Sequence, residues 1–511
     1  MNAPDMLITV LALPIVASPF IYMAGRLGFL SSRRSAGLAR WLSLVALAAA
    51  AFVLYRVAGD VVSYGSVAAN VGAIRLQMDG LALLLAATAI GLTLVVTVFS
   101  GTYMARESGE EKFYALLTAM AGTIAGLGCA ADLFNLWVWF EAMAITSYML
   151  VAFYREQKGS LEAGVKYLVQ SAVGSTLVLL AIAIAFGQTG SLSFDGIRAA
   201  SGESRNLLLL AGALFVVGFG VKTALVPLHT WLPDAHSQAP SGISAMLSGI
   251  VIEAGLVALL RSLGGLAPAS PTWGTLLLAF GALNMVVGNL MALRQDQVKR
   301  LLAYSSVAHM GYMLIGFGVA VGFAVPNGAA GGFFHLINHA AMKGLAFLGA
   351  GSLLYALHIA RGSHVPLVRD DLNGAARRYP LTAFALSVAL LALGGLPPLA
   401  GFMSKWQIFV AGFETRSLAV ELLVIFAALN SVLSLAYYAP LVNRLYRCEP
   451  SPAVMAGRPV SATMNVALVL LVAVAVVPGF WPSIFSWLTE PAASSFVAVF
   501  EAVSSTLTVL P

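Results

Sequence analysis

Charge is scarce in this chain of 511 residues: Asp, Glu, Lys and Arg together make up 10% of it, where a soluble globular domain carries roughly 25%. With 59% hydrophobic residues and a mean hydropathy of +0.89, that scarcity excludes the soluble enzyme classes. Cysteine is scarcer still. Cys129 and Cys448 are too few for a disulfide framework or a cysteine-ligated cluster, and read as small buried hydrophobes. Also missing are a P-loop of the G-x-x-x-x-G-K-[ST] form and a glycine fingerprint opening a helix for a dinucleotide. The chain is therefore expected to hold no cofactor or metal, to bind no nucleic acid and to carry no catalytic site of its own.

What it has instead is apolar runs from end to end. A helix needs roughly 20 apolar residues to cross the hydrocarbon. Runs and breakers place spans at 7–26, 38–58, 77–100, 113–133, 134–153, 162–187, 206–231, 241–262, 273–294, 301–323, 330–357, 381–411, 417–441 and 462–484. The fold class is thus an all-α integral membrane protein of about fourteen transmembrane helices. The first run, Leu7 to Met23, lacks a basic n-region and reads as a span rather than a signal peptide. Residues 491–510 are apolar but rich in Ser and Thr, and are left out of the count as a peripheral helix or a tail.

Basic residues test that count, because short cytoplasmic loops are enriched in Lys and Arg. Loops after odd-numbered spans hold nineteen, among them Arg33, Arg34, Arg106, Lys166, Lys299 and Arg300, whereas loops after even-numbered spans hold six, including Arg75, Arg198 and Arg261. One miscounted span would scramble the asymmetry beyond it. Both termini are accordingly expected on the non-cytoplasmic side of a prokaryotic inner (plasma) membrane.

Three basic residues remain, all inside spans: Lys222, Lys343 and Lys405. Glu141 and Glu253 lie in spans as well. A charge at the bilayer centre costs roughly 2.5–3.5 kcal/mol even on a lenient scale, so such groups face the bundle interior and tend to mark an ion path. Structural ion pairs or snorkelling are the competing explanations, and for Glu253 simple neutralisation of a lysine. Asp79 and Asp132 sit at span ends, which points to helix-end roles. Two of the lysines accompany helix breaks. Lys222 precedes VPLHTWLPDA, with Pro227 and Pro233, and Lys405 follows GGLPPLAGF, with Pro397 and Pro398. Broken backbone in a membrane is tolerated where it is buried in protein or faces water. Two such breaks five spans apart fit a transporter built from repeated halves with ion sites at the breaks.

His335, His339 and Lys343 are spaced by four and line one helix face, as a proton-passing row would. Zinc would want a third ligand and no adjacent lysine. His309, one span earlier, can take and give a proton near neutrality. His229 and His236 flank the first break, as gates for protons or as caps for freed backbone.

Trp139-Phe140-Glu141, AGVKYLVQSAVGS, VPLHTWLPDAHSQAPSGISAMLSG, QDQVKRLLAYSSVAHMGY and GLPPLAGFMSKWQIF together resemble the antiporter-like subunits of respiratory complex I, of Mrp-type sodium/proton antiporters and of energy-converting hydrogenases. The resemblance runs from about Asp79 to Arg447. It implies two inverted five-helix repeats, 113–262 and 263–441, with broken seventh and twelfth helices, between an N-terminal three-helix segment, 1–112, and a C-terminal segment, 442–511. It also implies that Glu141 pairs with Lys222 in the first repeat, that Lys343 is the central lysine, and that Lys405 is the terminal basic group. A lysine at 405, and ALNSVLSLAYYAPLV around Asn430, lean toward the Mrp D-type and complex I N-type paralogues. One residue departs from the pattern: Glu253 stands where the family usually has lysine or histidine.

The function these readings imply is proton translocation, with a proton loaded on Lys222 and relayed through Glu253 and the histidine row to Lys405. Desolvation and neighbouring carboxylates pull a lysine's proton affinity in opposite directions, which makes such loading switchable. The drive must come from partner membrane subunits, redox-active with quinone in the wider complex, or from a sodium gradient in an Mrp-type assembly. The remote alternatives are a quinone-reducing enzyme and a scaffold that no longer conducts.

Overall fold

A computed structural model describes residues 2–31, 37–105, 107–200 and 205–507. Arg33, Arg34 and Arg106, counted above for topology, lie outside the described residues, as do positions 508–510.

The chain is a helical bundle. The first three spans are α1 (Ala3–Ser31), α2 (Leu38–Tyr64) and α3 (Gly80–Tyr103). They are followed by α4 (Glu110–Cys129), α5 (Leu133–Val151), α6 (Lys158–Thr189), the short α7 (Phe194–Ala200) and α8 (Arg205–Thr223). Next come α9 (Trp231–Gln238), α10 (Ser241–Met246), α11 (Ile252–Gly265), α12 (Trp273–Leu293), α13 (Val298–Phe323) and α14 (Pro326–Leu357). The remainder is α15 (Pro380–Gly394), α16 (Ala400–Glu414), α17 (Leu418–Arg447), α18 (Pro452–Ala456), α19 (Ala462–Phe480) and α20 (Ser486–Leu507). Among the described residues, 13 helical segments are long and apolar enough to span a membrane. The interrupted pair α15 and α16 supplies the fourteenth span.

Three local features differ from the expected layout. Between α2 and α3 the chain forms an antiparallel hairpin, β1 (Ser66–Val71) and β2 (Ile74–Asp79), turned at Gly72 with φ +61°. The eighth span is not one continuous α-helix: a π-helical turn, Leu247–Val251, joins α10 to α11 just ahead of Glu253. The C-terminal segment is a helix packed on the bundle, burying Leu488, Ala492 and Phe496.

The helix starts behave as the charges at their ends require. Asp79 Oδ1 accepts from Ala82 N at 2.8 Å and Asp132 Oδ1 from Asn135 N at 2.7 Å, so both aspartates are N-caps. Asp79 also holds Arg261 at 2.7 Å. Asp234, beyond the seventh span, bonds Arg300 at 2.6 Å and Lys166 at 3.2 Å. Groups assigned to one side of the membrane by loop parity therefore meet one another.

Burial grades sharply across the bundle. The apolar windows of α14 and of the eighth span are 100% buried, against 28% for α1 and α17. In lipid there is little hydrophobic drive between helices, so close packing of small residues matters more. Gly174 on α6 and Gly218 on α8 face each other, and a Cβ on Gly174 would lie 2.8 Å from Gly218 O.

Candidate functional site

Each break is built from residues whose polar groups answer the freed backbone. In the first, α8 ends at Thr223 and Ala224 takes φ +59°. Asn284 of α12 closes the gap: its Oδ1 accepts from Val226 N at 2.9 Å, and its Nδ2 donates to Ala224 O at 3.2 Å and Val307 O at 3.3 Å. Pro227 lies in the break, preceded by a cis peptide bond. Pro233, expected to break the helix, instead lies in the first turn of α9, where a missing N–H costs nothing. In the second break, Pro397 and Pro398 join α15 to α16 through a cis bond.

Replacing Asn284 with leucine leaves one N–H and two carbonyls buried without that partner, at about 1–3 kcal/mol per orphaned group. A lower melting temperature of the detergent-solubilised protein is expected. An unchanged melting curve would show that the break holds itself.

Lys222 is in the last turn of α8, where the helix dipole favours a cation. Its ammonium donates to Tyr167 Oη at 2.8 Å and lies 4.5 Å from the Tyr167 ring centroid, 5.6 Å from that of Phe140 and 6.0 Å from that of Trp231. Tyr167 is fixed by a 2.8 Å hydrogen bond with Ser147 and by stacking on Trp231 at 3.9 Å. Glu141, one residue from Phe140, is half-buried, and its Oε1 has no hydrogen-bond partner. No ion pair within 4.0 Å joins it to Lys222. The expected pair is thus not a direct ion pair: an aromatic cage takes the ammonium, and Glu141 stays within electrostatic range of it.

Glu253 pairs with a histidine of the row rather than with a lysine, so the competing explanation of simple charge neutralisation finds no direct partner. Its Oε1 meets His339 Nδ1 at 2.7 Å, with both side chains fully buried. Its Oε2 and His339 Nε2 have no protein partner. Gly255, on the same helix, sits against the stem of Lys222, whose Cβ would be 3.0 Å from an added Cβ. The helix bearing Glu253 therefore touches the Lys222 site on one side and the histidines on the other.

His309, His335 and His339 form one cluster. His309 Nδ1 and His335 Nε2 are 3.0 Å apart, and the His309 ring centroid lies 5.1 Å from that of His339. His335 Nδ1 contacts Ser404 Oγ at 2.8 Å, while Ser404 Oγ donates to Ala400 O at 3.1 Å. One proton assignment satisfies all of these: His335 donates from Nδ1 to Ser404, so its Nε2 accepts from His309.

Lys343 shares the helix face but not the cluster. Its ammonium donates to Leu302 O at 2.9 Å and Ser305 Oγ at 2.5 Å, and Ser305 bonds Tyr438 in turn. Lys405 donates to Leu393 O and Ser431 Oγ, each at 2.8 Å, and lies over the Tyr312 ring at 4.6 Å. Leu393 is in the last turn of α15, so each break-associated lysine places its charge at a half-helix C-terminus, where cations are favoured. Of Lys222, Glu253, His309, His335, His339, Lys343 and Lys405, none is more than 2% exposed.

The two expected gates part company. His229 lies near the first break, its ring 6.1 Å from that of Tyr304, whereas His236 is wholly enclosed with neither ring nitrogen bonded. Residues that composition did not single out carry much of this geometry, above all Tyr167, Asn284, Ser305, Ser431 and Tyr438. Of these, Asn284 had a usable signal, as one of two amides, with Asn289, in a span otherwise almost wholly apolar.

Residues 130–434 match the family described as NADH:quinone oxidoreductase/Mrp antiporter. Subunit N of the F420H2 dehydrogenase of Methanosarcina mazei is 32% identical over 478 residues, 92% of this chain and 95% of that one. NADH-quinone oxidoreductase subunit N of Deinococcus radiodurans is 35% identical over 424 residues, 81% and 83% of the two chains. Among solved structures, a chain of the membrane-bound sulfane sulfur reductase, an archaeal respiratory membrane complex, superposes with a TM-score of 0.85 at 26% identity, covering 98% of this chain and 99% of that one.

Proposed function

The chain belongs to the NADH:quinone oxidoreductase/Mrp antiporter family, and from that membership we propose that it is the proton-translocating subunit of a multi-subunit, redox-driven complex in a prokaryotic plasma membrane. The observation that carries the reading is the run of buried titratable groups from Lys222 past Glu253 and the histidine cluster to Lys343 and Lys405. Such groups are costly in lipid and are kept there for ion movement. Residues 113–262 and 263–441 act as two half-units, each with a lysine at a broken helix, and both termini lie on the non-cytoplasmic side. Partner membrane subunits supply the drive, since moving one charge against the potential costs about 2.3 kcal/mol per 100 mV. Relatives named as subunits of F420H2 and NADH dehydrogenases support such partners. So does the half-buried Glu141, on a helix whose Val138 and Ile145 are 44% and 43% exposed.

Sodium exchange is the weaker reading. A hard cation needs several oxygen ligands, and Glu253 meets an imidazole rather than an oxygen cage. The test uses the assembled complex in sealed vesicles, with the pH gradient followed by a fluorescent dye. A gradient that forms equally with and without sodium is expected, and one that needs sodium selects antiport.

A further inference from the structure

Loop parity assigned Lys299 to the residues that merely orient the chain. Instead it opens α13 with 5% exposure, and its ammonium donates to Ala239 O at the end of α9. Beside it is a cavity of about 30 Å³ whose walls include Tyr103, Tyr154, Gln157, Gln238 and Gln297, room for roughly two water centres. At its rim is the partly exposed His364, 3.8 Å from Glu107 and with its ring 4.8 Å from that of Tyr154. Burial pushes the Glu107 carboxyl up, and the charge of His364 opposes this.

Each wall residue flanks a loop that follows an odd-numbered span, the basic side of the molecule. His236, three residues before Ala239, is fully buried, stacked on Phe347 at 4.7 Å and within electrostatic range of both Lys299 and Lys343. Neither of its ring nitrogens has a protein partner. Burying a polar group without a hydrogen bond is costly, and an imidazole so placed can take a proton on one nitrogen and release one from the other.

We propose that this cavity is a cytoplasmic proton intake serving the central row, in which Lys299 is loaded from solvent and His236 carries the proton on to Lys343. The inference rests on the translocation reading above, and adds an entrance distinct from Lys222 that works in step with it, so that loss of either stops the cycle. In each transfer the Lys299 ammonium gives one N–H proton to an imidazole nitrogen and becomes a neutral amine. Solvent in the cavity reprotonates that amine, and the imidazolium gives its proton to the neutral amine of Lys343. Lys343 is made neutral beforehand by passing its own proton on toward Lys405, so charge along the row is unchanged after a cycle.

Lys299→Arg is the discriminating variant. Arginine keeps the charge and the donors toward Ala239 but does not release a proton near neutral pH. The complex is expected to assemble at its normal level with translocation at least about tenfold lower, and His236→Phe, which preserves the stack on Phe347, is expected to match it. Normal translocation in Lys299→Arg overturns the intake. Lys222→Ala in parallel separates the failures: if it abolishes translocation while Lys299→Arg remains active, only the intake is wrong, and if both remain active the translocation reading goes too.

A measurement independent of activity uses Gln157→Cys with Cys129 and Cys448 replaced by serine. A membrane-impermeant thiol reagent should label it in inside-out vesicles and not in right-side-out ones. The reverse pattern, or no labelling in either, overturns the proposal.

Discussion

Lys222→Ala is expected to reduce ion translocation by roughly a hundredfold or more while the complex still assembles. A positioned acid–base group contributes about 10²–10⁴-fold to the step it serves, and an alanine offers no second proton carrier. The surroundings explain why assembly should survive. Tyr167 keeps Ser147 as a hydrogen-bond partner and Trp231 as a stacking partner, and Trp231 Nε1 still donates to Val221 O at 2.7 Å. The cage therefore stands without its cation. Proton flux in reconstituted vesicles measures the effect, with subunit content checked on the same preparation. Full flux with normal content would remove Lys222 from the path and with it the role assigned to the first half-unit.

Glu253→Gln is expected to have the next largest effect. The amide can still accept from His339 Nδ1 across the present 2.7 Å contact, so the fold should hold, but it cannot carry a proton. Flux is expected to fall toward the lower end of the same 10²–10⁴-fold range. Glu253→Lys asks a different question, since it places another cation among fully buried groups near Lys343. Leaving a buried charge uncompensated costs about 3–5 kcal/mol, and a visibly less stable complex is expected. If Glu253→Gln pumps normally, Glu253 serves only to balance charge.

Much of this could be read from sequence because lipid makes errors expensive. Hydropathy marked the spans, the prolines at 227, 397 and 398 marked the breaks, and three lysines left over from the loops marked the row. What escaped has physical reasons. Tyr167 and Trp231 are ordinary apolar mass in a sequence where 10% of residues are aromatic, and only their convergence on Lys222 sets them apart. Lys299 has the spacing of a loop residue because it stands at a helix start, and nothing local says that the start is covered. Pro233 looks like a breaker wherever it stands, although in a first turn it breaks nothing. The hairpin did have a signature, the alternation in Ile74-Arg75-Leu76-Gln77-Met78-Asp79, but it is short beside the apolar runs on either side. Glu253 was conspicuous as a residue and was read as a relay toward the histidine row, but that His339 is its direct partner, 86 residues on, is written in nothing local.

The π-helical turn at Leu247–Val251 bears on that last point. It winds in one more residue than an α-helix would over the same rise, and each residue turns a helix by about 100°. It thus works as a dial: every position after it, Glu253 among them, is set about a quarter-turn from where uninterrupted winding would aim it. The direction in which this carboxyl points is fixed by the winding of the backbone as much as by the choice of side chain.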